Sequence, residues 1–161
     1  MRKTVSVRRA TVDDAVVLRD FNLAMALETE DIRLIPDVVE KGVNRVFDHP
    51  ELGFYLVAEL DSRIAGALLI TREWSDWRNG MFWWIQSVYV VPEYRRWGVF
   101  SSLYETVTGM ADGNPDVCGL RLYVDAENKL AQAVYLKRGM NEVSYRFYEM
   151  LKYGWEFKEP E

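Results

Sequence analysis

The sequence predicts an α+β (mixed α/β) domain in which about four helices pack on a mixed, mostly antiparallel sheet. Strand-like and helix-like apolar patterns follow one another in the order β-α-α-β-β-β-α-β-α-β, and the four early strands can form a meander. Of the 161 residues, 49% are apolar and 14% aromatic, which is typical of a chain with a packed core. Because no repeat or linker interrupts the sequence, we expect one domain over 1–151 and a tail over 152–161.

The first part of the chain predicts two helices that follow an N-terminal strand. Residues 5–10 alternate between polar and apolar side chains, as in a strand with one buried face. Thr11 can cap the first helix, in which apolar side chains recur at helical spacing. Pro36 can occupy the first turn of the second helix.

The rest of the chain alternates strands with helices. Two apolar segments, 54–60 and 64–71, predict a strand pair, and Gly66 within it indicates a bulge or close backbone packing. The long apolar segment 81–91 predicts a central strand that is covered on both faces. The remaining predicted elements are a helix from residue 99, a strand over 117–124, a helix over 128–138 and a last strand over 143–151.

Charge and composition exclude several classes of partner. The net charge is −5 and basic residues cluster only in pairs such as Arg95-Arg96, so we expect no nucleic acid partner. The N-terminus lacks the apolar core of a signal peptide, and the longest uncharged run, 79–92, is too short to span a bilayer. We therefore expect a cytoplasmic protein without a membrane partner. The single cysteine, Cys118, is expected to be a small buried apolar side chain rather than a nucleophile.

The turn after the long strand has the features of a phosphate-binding site. Residues 95–100 contain two arginines and a glycine, and the apolar spacing predicts a helix from Val99. Amide groups at a helix start carry partial positive charge, and glycine lets a ligand approach the main chain. Arginine adds bidentate donors for phosphate oxygens. The alternative is a tight turn at Gly98 with solvated arginines.

The same residues resemble motif A of the GCN5-related N-acetyltransferase (GNAT) superfamily, Arg/Gln-x-x-Gly-x-Gly/Ala. Arg95 and Gly98 stand at the matching positions, and residues 90–94 resemble the lead-in Val-x-Pro-x-Tyr. The third motif position is Phe100 instead of glycine or alanine. Its side chain must therefore point away from the pyrophosphate.

A second stretch resembles the family independently. Asn128, Ala131 and Tyr135 share one helical face and match the pattern Asn-x-x-Ala-x-x-x-Tyr. The resemblance implies that the asparagine binds the pantetheine arm, that the small residue lets the arm pass, and that Tyr135 protonates the leaving thiolate as general acid. The alternative for Tyr135 is a core aromatic whose hydroxyl has a partner.

The resemblance also implies a GNAT-like fold with a central parallel pair of splayed strands, 82–91 and 117–124. The pantetheine arm would pair with the exposed backbone of Val88 and Val90, whose amides could polarise the thioester carbonyl. The implied co-substrate is acetyl-CoA, and no metal is expected. The predicted cofactor-binding residues are Val88, Tyr89, Val90, Arg95, Arg96, Trp97, Gly98, Val99, Phe100, Ser101, Asn128, Ala131 and Tyr135.

The implied reaction is direct transfer of an acetyl group to an amine of a small molecule or peptide. The acceptor stays unidentified, since the segments expected to select it, 26–35 and 74–81, are loop-like. Some family members carry a glutamate on the long strand, and residues 83–86 contain no acidic residue. The candidates for a general base are therefore water or an acidic residue from a flanking segment, namely Glu28, Glu30, Asp31 or Glu73.

Two alternatives to an active enzyme are a non-catalytic CoA-binding or regulatory domain and a partner-binding module. A concentration of aromatic residues over 74–84 is relevant to the second alternative. These side chains could form part of the core, an acceptor pocket or the surface of a homodimer. Strand alternation places Trp83 and Trp84 on opposite faces, so at least one of them is expected in the core. The members of the group are Trp74, Trp77, Phe82, Trp83 and Trp84.

Overall fold

The computed structural model describes residues 4–157. The predicted tail is therefore described only as far as residue 157, and residues 158–161 lie outside the described part. The helices are α1 (Ala15–Glu30), α2 (Pro36–Asp48), α3 (Val99–Asp112) and α4 (Lys129–Lys137). The strands are β1 (Val5–Arg9), β2 (Gly53–Leu60), β3 (Arg63–Ser75), β4 (Gly80–Val90) and β5 (Val117–Arg121).

The chain divides into two compact units, with the boundary between Arg121 and Leu122. The first unit holds β1 to β5 and the first three helices. The second holds α4 and the irregular segment that follows it. In the second unit the rings of Tyr123 and Phe147 stack with their centroids 5.4 Å apart. The expected single domain over 1–151 stays a prediction.

The sheet runs in the order β1-β2-β3-β4-β5. The pairs from β1 to β4 are antiparallel, and β4 pairs with β5 in parallel. The predicted fold class is therefore confirmed, because the described residues contain a mixed, mostly antiparallel sheet with four helices. The meander of the first four strands is also as predicted.

Both faces of the sheet are covered by helices in the first unit. On one face, Leu18 of α1 and Val43 of α2 share a core with Tyr55 and Ala67. On the other face, α3 buries an apolar stripe that includes Leu103, which is fully buried. Alternation along each strand thus supplies two apolar layers, as expected for an internal sheet.

Gly66 explains how closely α3 approaches the sheet. A Cβ at this position would lie 2.8 Å from the Tyr89 carbonyl oxygen and 2.9 Å from Cγ1 of Val99. Only a residue without a side chain fits between the first turn of α3 and β4. The sequence prediction of close backbone packing at Gly66 is therefore confirmed.

Two predictions about the end of the sheet are wrong. Segment 143–151 forms no strand in the described structure, and the strand predicted over 117–124 ends at Arg121. An alternating apolar pattern supplies the faces of a strand, but a strand also needs a neighbour for its backbone hydrogen bonds. Consequently the parallel pair lies at the edge of the described sheet, and Cys118 on β5 is exposed rather than buried.

Candidate active site

The turn between β4 and α3 contains two residues with left-handed backbone conformations. Arg96 has φ of 68° and Gly98 has φ of 81°. A Cβ on Gly98 would meet no atom within 4 Å, so the backbone angle and not the space requires glycine. The first intrahelical hydrogen bond runs from Ser102 N–H to Gly98 O at 2.9 Å. Gly98 thus places the helix start beside open space, as a phosphate-binding turn needs.

The aromatic side chain at the third motif position lies along the helix. The ring centroids of Phe100 and Tyr104 are 5.9 Å apart, one helical turn from each other. Tyr104 is itself buried, and Val99 is only 2% exposed against the sheet. The ring of Phe100 therefore lies along α3, and the turn at Gly98 has open space beside it.

Arg95 has two partners that the sequence did not predict. Its Nε donates to Val90 O at 3.0 Å, and its Nη2 lies 2.7 Å from Oε1 of Glu28. Its guanidinium lies 5.9 Å from the ring centroid of Tyr89, which in turn contacts Phe21 of α1. Arg95 thus joins the turn to the last turn of α1. Arg96 and Trp97 are exposed, and Ser101 is half-buried.

β4 has a bulge just before the turn. The β3–β4 register shifts between Ala67 and Leu69, and Ser87 has φ of 51°. After the bulge, Val91 N–H donates to Ala65 O at 2.9 Å, so this residue faces β3. Antiparallel alternation then directs the amide and carbonyl groups of Val90 and Val88 away from β3. The bond that Val90 O accepts from Arg95 agrees with this direction.

The side to which Val88 and Val90 point has no strand partner in the described residues. The parallel register joins Met81–Trp84 of β4 to β5 and covers nothing beyond Trp84. Residues 85–90 of β4 therefore present a half-paired backbone. This is the open strand edge that the splayed pair was predicted to provide, and it can accept an extended ligand with its own amide groups.

The second predicted set lies in the second unit, on and before α4. Asn128 caps this helix, because its Oδ1 accepts from Ala131 N–H at 3.1 Å. Ala131 and Tyr135 follow on the same face and are half-buried. The predicted grouping of Asn128, Ala131 and Tyr135 on one helical face is thus present within this unit. Their predicted roles stay predictions.

The four candidate bases differ in their surroundings. Glu28 is paired with Arg95, and Glu73 is paired with Arg121 and accepts from Nε1 of Trp84 at 3.3 Å. Asp31 adopts the left-handed conformation that ends α1, and Glu30 is exposed in the last turn. Two of the four candidate bases are thus ion-paired with arginines.

The aromatic group is divided between core and surface. Phe82 and Trp83 are 8% and 4% exposed, whereas Trp74 and Trp77 are 56% and 83% exposed. The prediction that one of Trp83 and Trp84 lies in the core is confirmed by Trp83, whose ring packs edge-on against Phe54. Acceptor pocket and homodimer surface stay open interpretations for the exposed pair.

Sequence reasoning missed the contacts that connect distant segments. The Glu28–Arg95 pair spans 67 positions, and Gln86 on β4 donates to Thr71 on β3. Neither contact has a sequence signal of its own, because both depend on which strands and helices become neighbours.

In the described residues no group of three His, Cys, Asp or Glu side chains could hold a metal ion, and no helix is long and apolar enough to cross a membrane.

The comparisons with known proteins agree with this fold. Residues 21–140 match the acetyltransferase (GNAT) family. A possible acetyltransferase from Clostridium difficile 630 is 40% identical, with a TM-score of 0.87 over 92% of this chain and 97% of that one. No protein of curated function matches the sequence. The family match covers most of the chain, and the protein therefore belongs to the GNAT acetyltransferase family.

Two more distant structures share the fold. A predicted acetyltransferase from Clostridium acetobutylicum, solved with acetyl-CoA, is 19% identical, with a TM-score of 0.74 over 91% of this chain and 96% of that one. Glucosamine-6-phosphate N-acetyltransferase from Arabidopsis thaliana is 17% identical, with a TM-score of 0.68 over 92% and 99%. At these identities the likeness concerns the fold alone.

Proposed function

We propose that this protein is an N-acetyltransferase that transfers an acetyl group from acetyl-CoA directly to a primary amine. The observation that carries the proposal is the open side of β4 at Val88 and Val90, directly before a helix start with a left-handed glycine at Gly98. The first feature suits the amide-containing pantetheine arm, and the second suits the pyrophosphate. The structure of the Clostridium acetobutylicum acetyltransferase, solved with acetyl-CoA, supports the same ligand class.

The strand edge also suits the chemistry. When bound, acetyl-CoA supplies an activated thioester. An amide of β4 aimed at the thioester carbonyl would stabilise the negative charge that develops on that oxygen. The amine nitrogen forms the new C–N bond, the C–S bond breaks, and Tyr135 is proposed to donate a proton to the sulfur. The tyrosine then regains its proton from solvent.

The amine must lose a proton before or during attack. A lysine-like amine has an ordinary pKa near 10.4, so the neutral form costs about 4–5 kcal/mol at pH 7. Residues 83–86 of β4 contain no carboxylate that could remove this proton. We therefore propose that water molecules remove the proton, and that the acceptor is a small molecule or peptide in a reducing cytoplasm.

Thiol release from acetyl-CoA with a panel of primary amines tests the proposal. We expect turnover that depends on both the amine and acetyl-CoA, with the acetylated amine identified by mass spectrometry. Propionyl-CoA and butyryl-CoA in the same assay would define the acyl preference. If acetyl-CoA binds by calorimetry but no amine in a broad panel is acetylated, the protein is a CoA-binding domain without turnover.

That alternative has one observation in its favour. Glu28 and Glu73, two of the four candidate bases, are both engaged with arginines, so neither carboxylate is directly available to an amine. A sensor domain would need the open side of β4 and the turn at Gly98 to bind acetyl-CoA, but it would need no general base. A sensor domain is expected to bind acetyl-CoA without turnover. If the protein shows neither acetyl-CoA binding nor turnover, a partner-binding module is favoured instead.

A further inference from the structure

The face of the sheet beneath α1 and α2 continues past these helices into a polar and aromatic group. In the register, Trp84 lies between Thr71 and Arg121, and Phe82 lies between Glu73 and Gly119. Paired residues of neighbouring strands point to the same face. Four of these side chains therefore meet beyond the helix-covered core. We call Glu73, Phe82, Trp84 and Arg121 the far-end cluster.

Arg121 is held in a fixed position within the far-end cluster. Its guanidinium carbon lies 3.6 Å from the ring centroid of Phe82. Gly119 makes room for this ring, since a Cβ there would lie 2.9 Å from Cε1 of Phe82. One nitrogen, Nη1, donates to Oε1 of Glu73, which also accepts from Trp84. The guanidinium is thus orientated before any ligand arrives, which lowers the entropic cost of binding one.

The other edge of this guanidinium has no acceptor within residues 4–157. Two other arginines of the chain show what that edge can hold. Arg8 binds Asp14 with one edge and Glu59 with Nε and Nη2, and Arg19 binds Glu40 with Nη1 and Asp20 with Nε and Nη2. Each of them carries two carboxylates. Arg121 carries one, and its side chain is 33% exposed.

We propose that the Nε–Nη2 edge of Arg121 binds a carboxylate of the acceptor, which makes the acceptor class short peptides with a free carboxylate. This inference rests on the proposed N-acetyltransferase function. A planar carboxylate fits the two parallel donors of this edge, and Arg8 shows that the chain accommodates a second carboxylate on one guanidinium.

The strand geometry sets the length of the acceptor. Arg121 is level with Trp84, and Val88, where the thioester is proposed to lie, is four residues further along β4. At about 3.3 Å per residue this corresponds to roughly 13 Å along the strand. An extended peptide spans about 3.4 Å per residue, so three or four residues would connect an N-terminal amine to the carboxylate.

Glycine peptides of one to five residues, each as the free acid and as the C-terminal amide, provide matched acceptors. We expect kcat/KM for the acid to exceed that for the amide about tenfold at three and four residues. Single glycine should show no such preference, because it cannot reach both ends. Equal rates for acid and amide at every length, or faster rates for the amides, would overturn the inference.

Variants on the same face assign the preference to Arg121. Arg121→Gln should reduce the acid-to-amide ratio to about one. Glu73→Gln should raise the ratio, because it removes the negative charge beside the incoming carboxylate. Arg78→Gln is the matched control, since Arg78 also lies over the Phe82 ring, at 5.1 Å, and should leave the ratio unchanged. A Glu73→Gln variant with an unchanged or lower ratio contradicts the inference even if Arg121→Gln fails to fold.

A binding measurement separates this inference from the proposed function. N-Acetyl-triglycine and its amide can be titrated by calorimetry into the protein saturated with CoA. We expect the acid to bind about tenfold more tightly in the wild type and no more tightly in Arg121→Gln. If no peptide is acetylated but this difference persists, the carboxylate site stands and the proposed activity fails. If peptide amides or simple amines are acetylated and the acid shows no advantage in binding, only the carboxylate site fails.

Discussion

The two sides of β4 are bonded very differently. Toward β3, the register extends from Ser75↔Gly80 to Gly66↔Val90, along the whole strand. Toward β5, it covers only Met81–Trp84. Backbone amides that lack a partner in a half-buried strand are costly unless water or a ligand binds them. The paired side therefore holds the sheet together, and the open side is where a ligand gains most by binding.

The largest effect should come from removing the proposed proton donor, Tyr135. We expect Tyr135→Phe to lower kcat about 100-fold or more, since general acid catalysis typically contributes at least that much. The affinity for acetyl-CoA, measured by calorimetry, should change little. Tyr148→Phe is the control, because Tyr148 is in the same unit and 86% exposed. Equal rates in both variants would exclude Tyr135 as the acid.

Proline substitutions on adjacent residues compare the two sides of β4 directly. Tyr89 faces β3 by alternation, so Tyr89→Pro removes a ladder bond, leaves the buried carbonyl of Ala67 without its donor, and should cost about 1–3 kcal/mol of unfolding free energy. Val90→Pro removes an amide on the open side only. It should cost less stability and weaken acetyl-CoA binding about tenfold.

Chemical denaturation and calorimetry on the two proline variants provide the measurements. The comparison between the sides fails if Val90→Pro destabilises the fold more than Tyr89→Pro, or if it binds acetyl-CoA as tightly as the wild type.

A charge at the glycine turn should weaken cofactor binding without loss of folding. Asn and Asp both tolerate the left-handed conformation of Gly98, and the space around its Cβ is open. Gly98→Asp should bind acetyl-CoA about tenfold more weakly than Gly98→Asn, because its carboxylate repels the phosphates. The difference should shrink at high salt. Equal dissociation constants would place the phosphates elsewhere.

The smallest effect should come from the ion pair between Arg8 of β1 and Asp14, which involves neither side of β4. Hydrogen bonds from the Arg8 side chain and the Thr11 amide hold the pKa of Asp14 below its ordinary value. Asp14→Asn should therefore cost about 1 kcal/mol at pH 7, a modest value because Arg8 is partly exposed. Acetyl-CoA binding should be unaffected.

The pH dependence of that cost has a definite sign. A lowered pKa means that the stabilisation is fully present above the ordinary carboxyl pKa of about 4 and is lost as the pH falls through the lower value of the folded state. Denaturation curves from pH 7 to pH 3 should thus show the wild type and Asp14→Asn converging in acid. A constant difference would mean that the pair does not titrate with folding.

The elements with a strong local pattern were predictable. Apolar patterns predicted α1 to α3 and the first four strands, a helix was predicted at the position of α4, and Gly66 predicted close backbone packing. The wrong predictions concern segments whose pairing or burial depends on a neighbouring strand. Segment 143–151 has the alternation of a strand but no strand neighbour in the described structure, and Cys118 is exposed because β5 lies at the sheet edge. The glycine turn and the helical face of Asn128, Ala131 and Tyr135 were predictable as local patterns, whereas the Glu28–Arg95 pair and the far-end cluster were not.

By itself, the sequence determined the family, the glycine turn at residues 95–100 and the helical face of Asn128, Ala131 and Tyr135, because each depends on residues near one another in the chain. Only the tertiary structure decided that the pairing of β4 with β5 ends at Trp84 and that Arg95 is bound to Glu28. It also decided that one guanidinium edge of Arg121 has no partner in the described residues. These features depend on contacts between segments tens of residues apart, and no local pattern encodes which of those segments become neighbours.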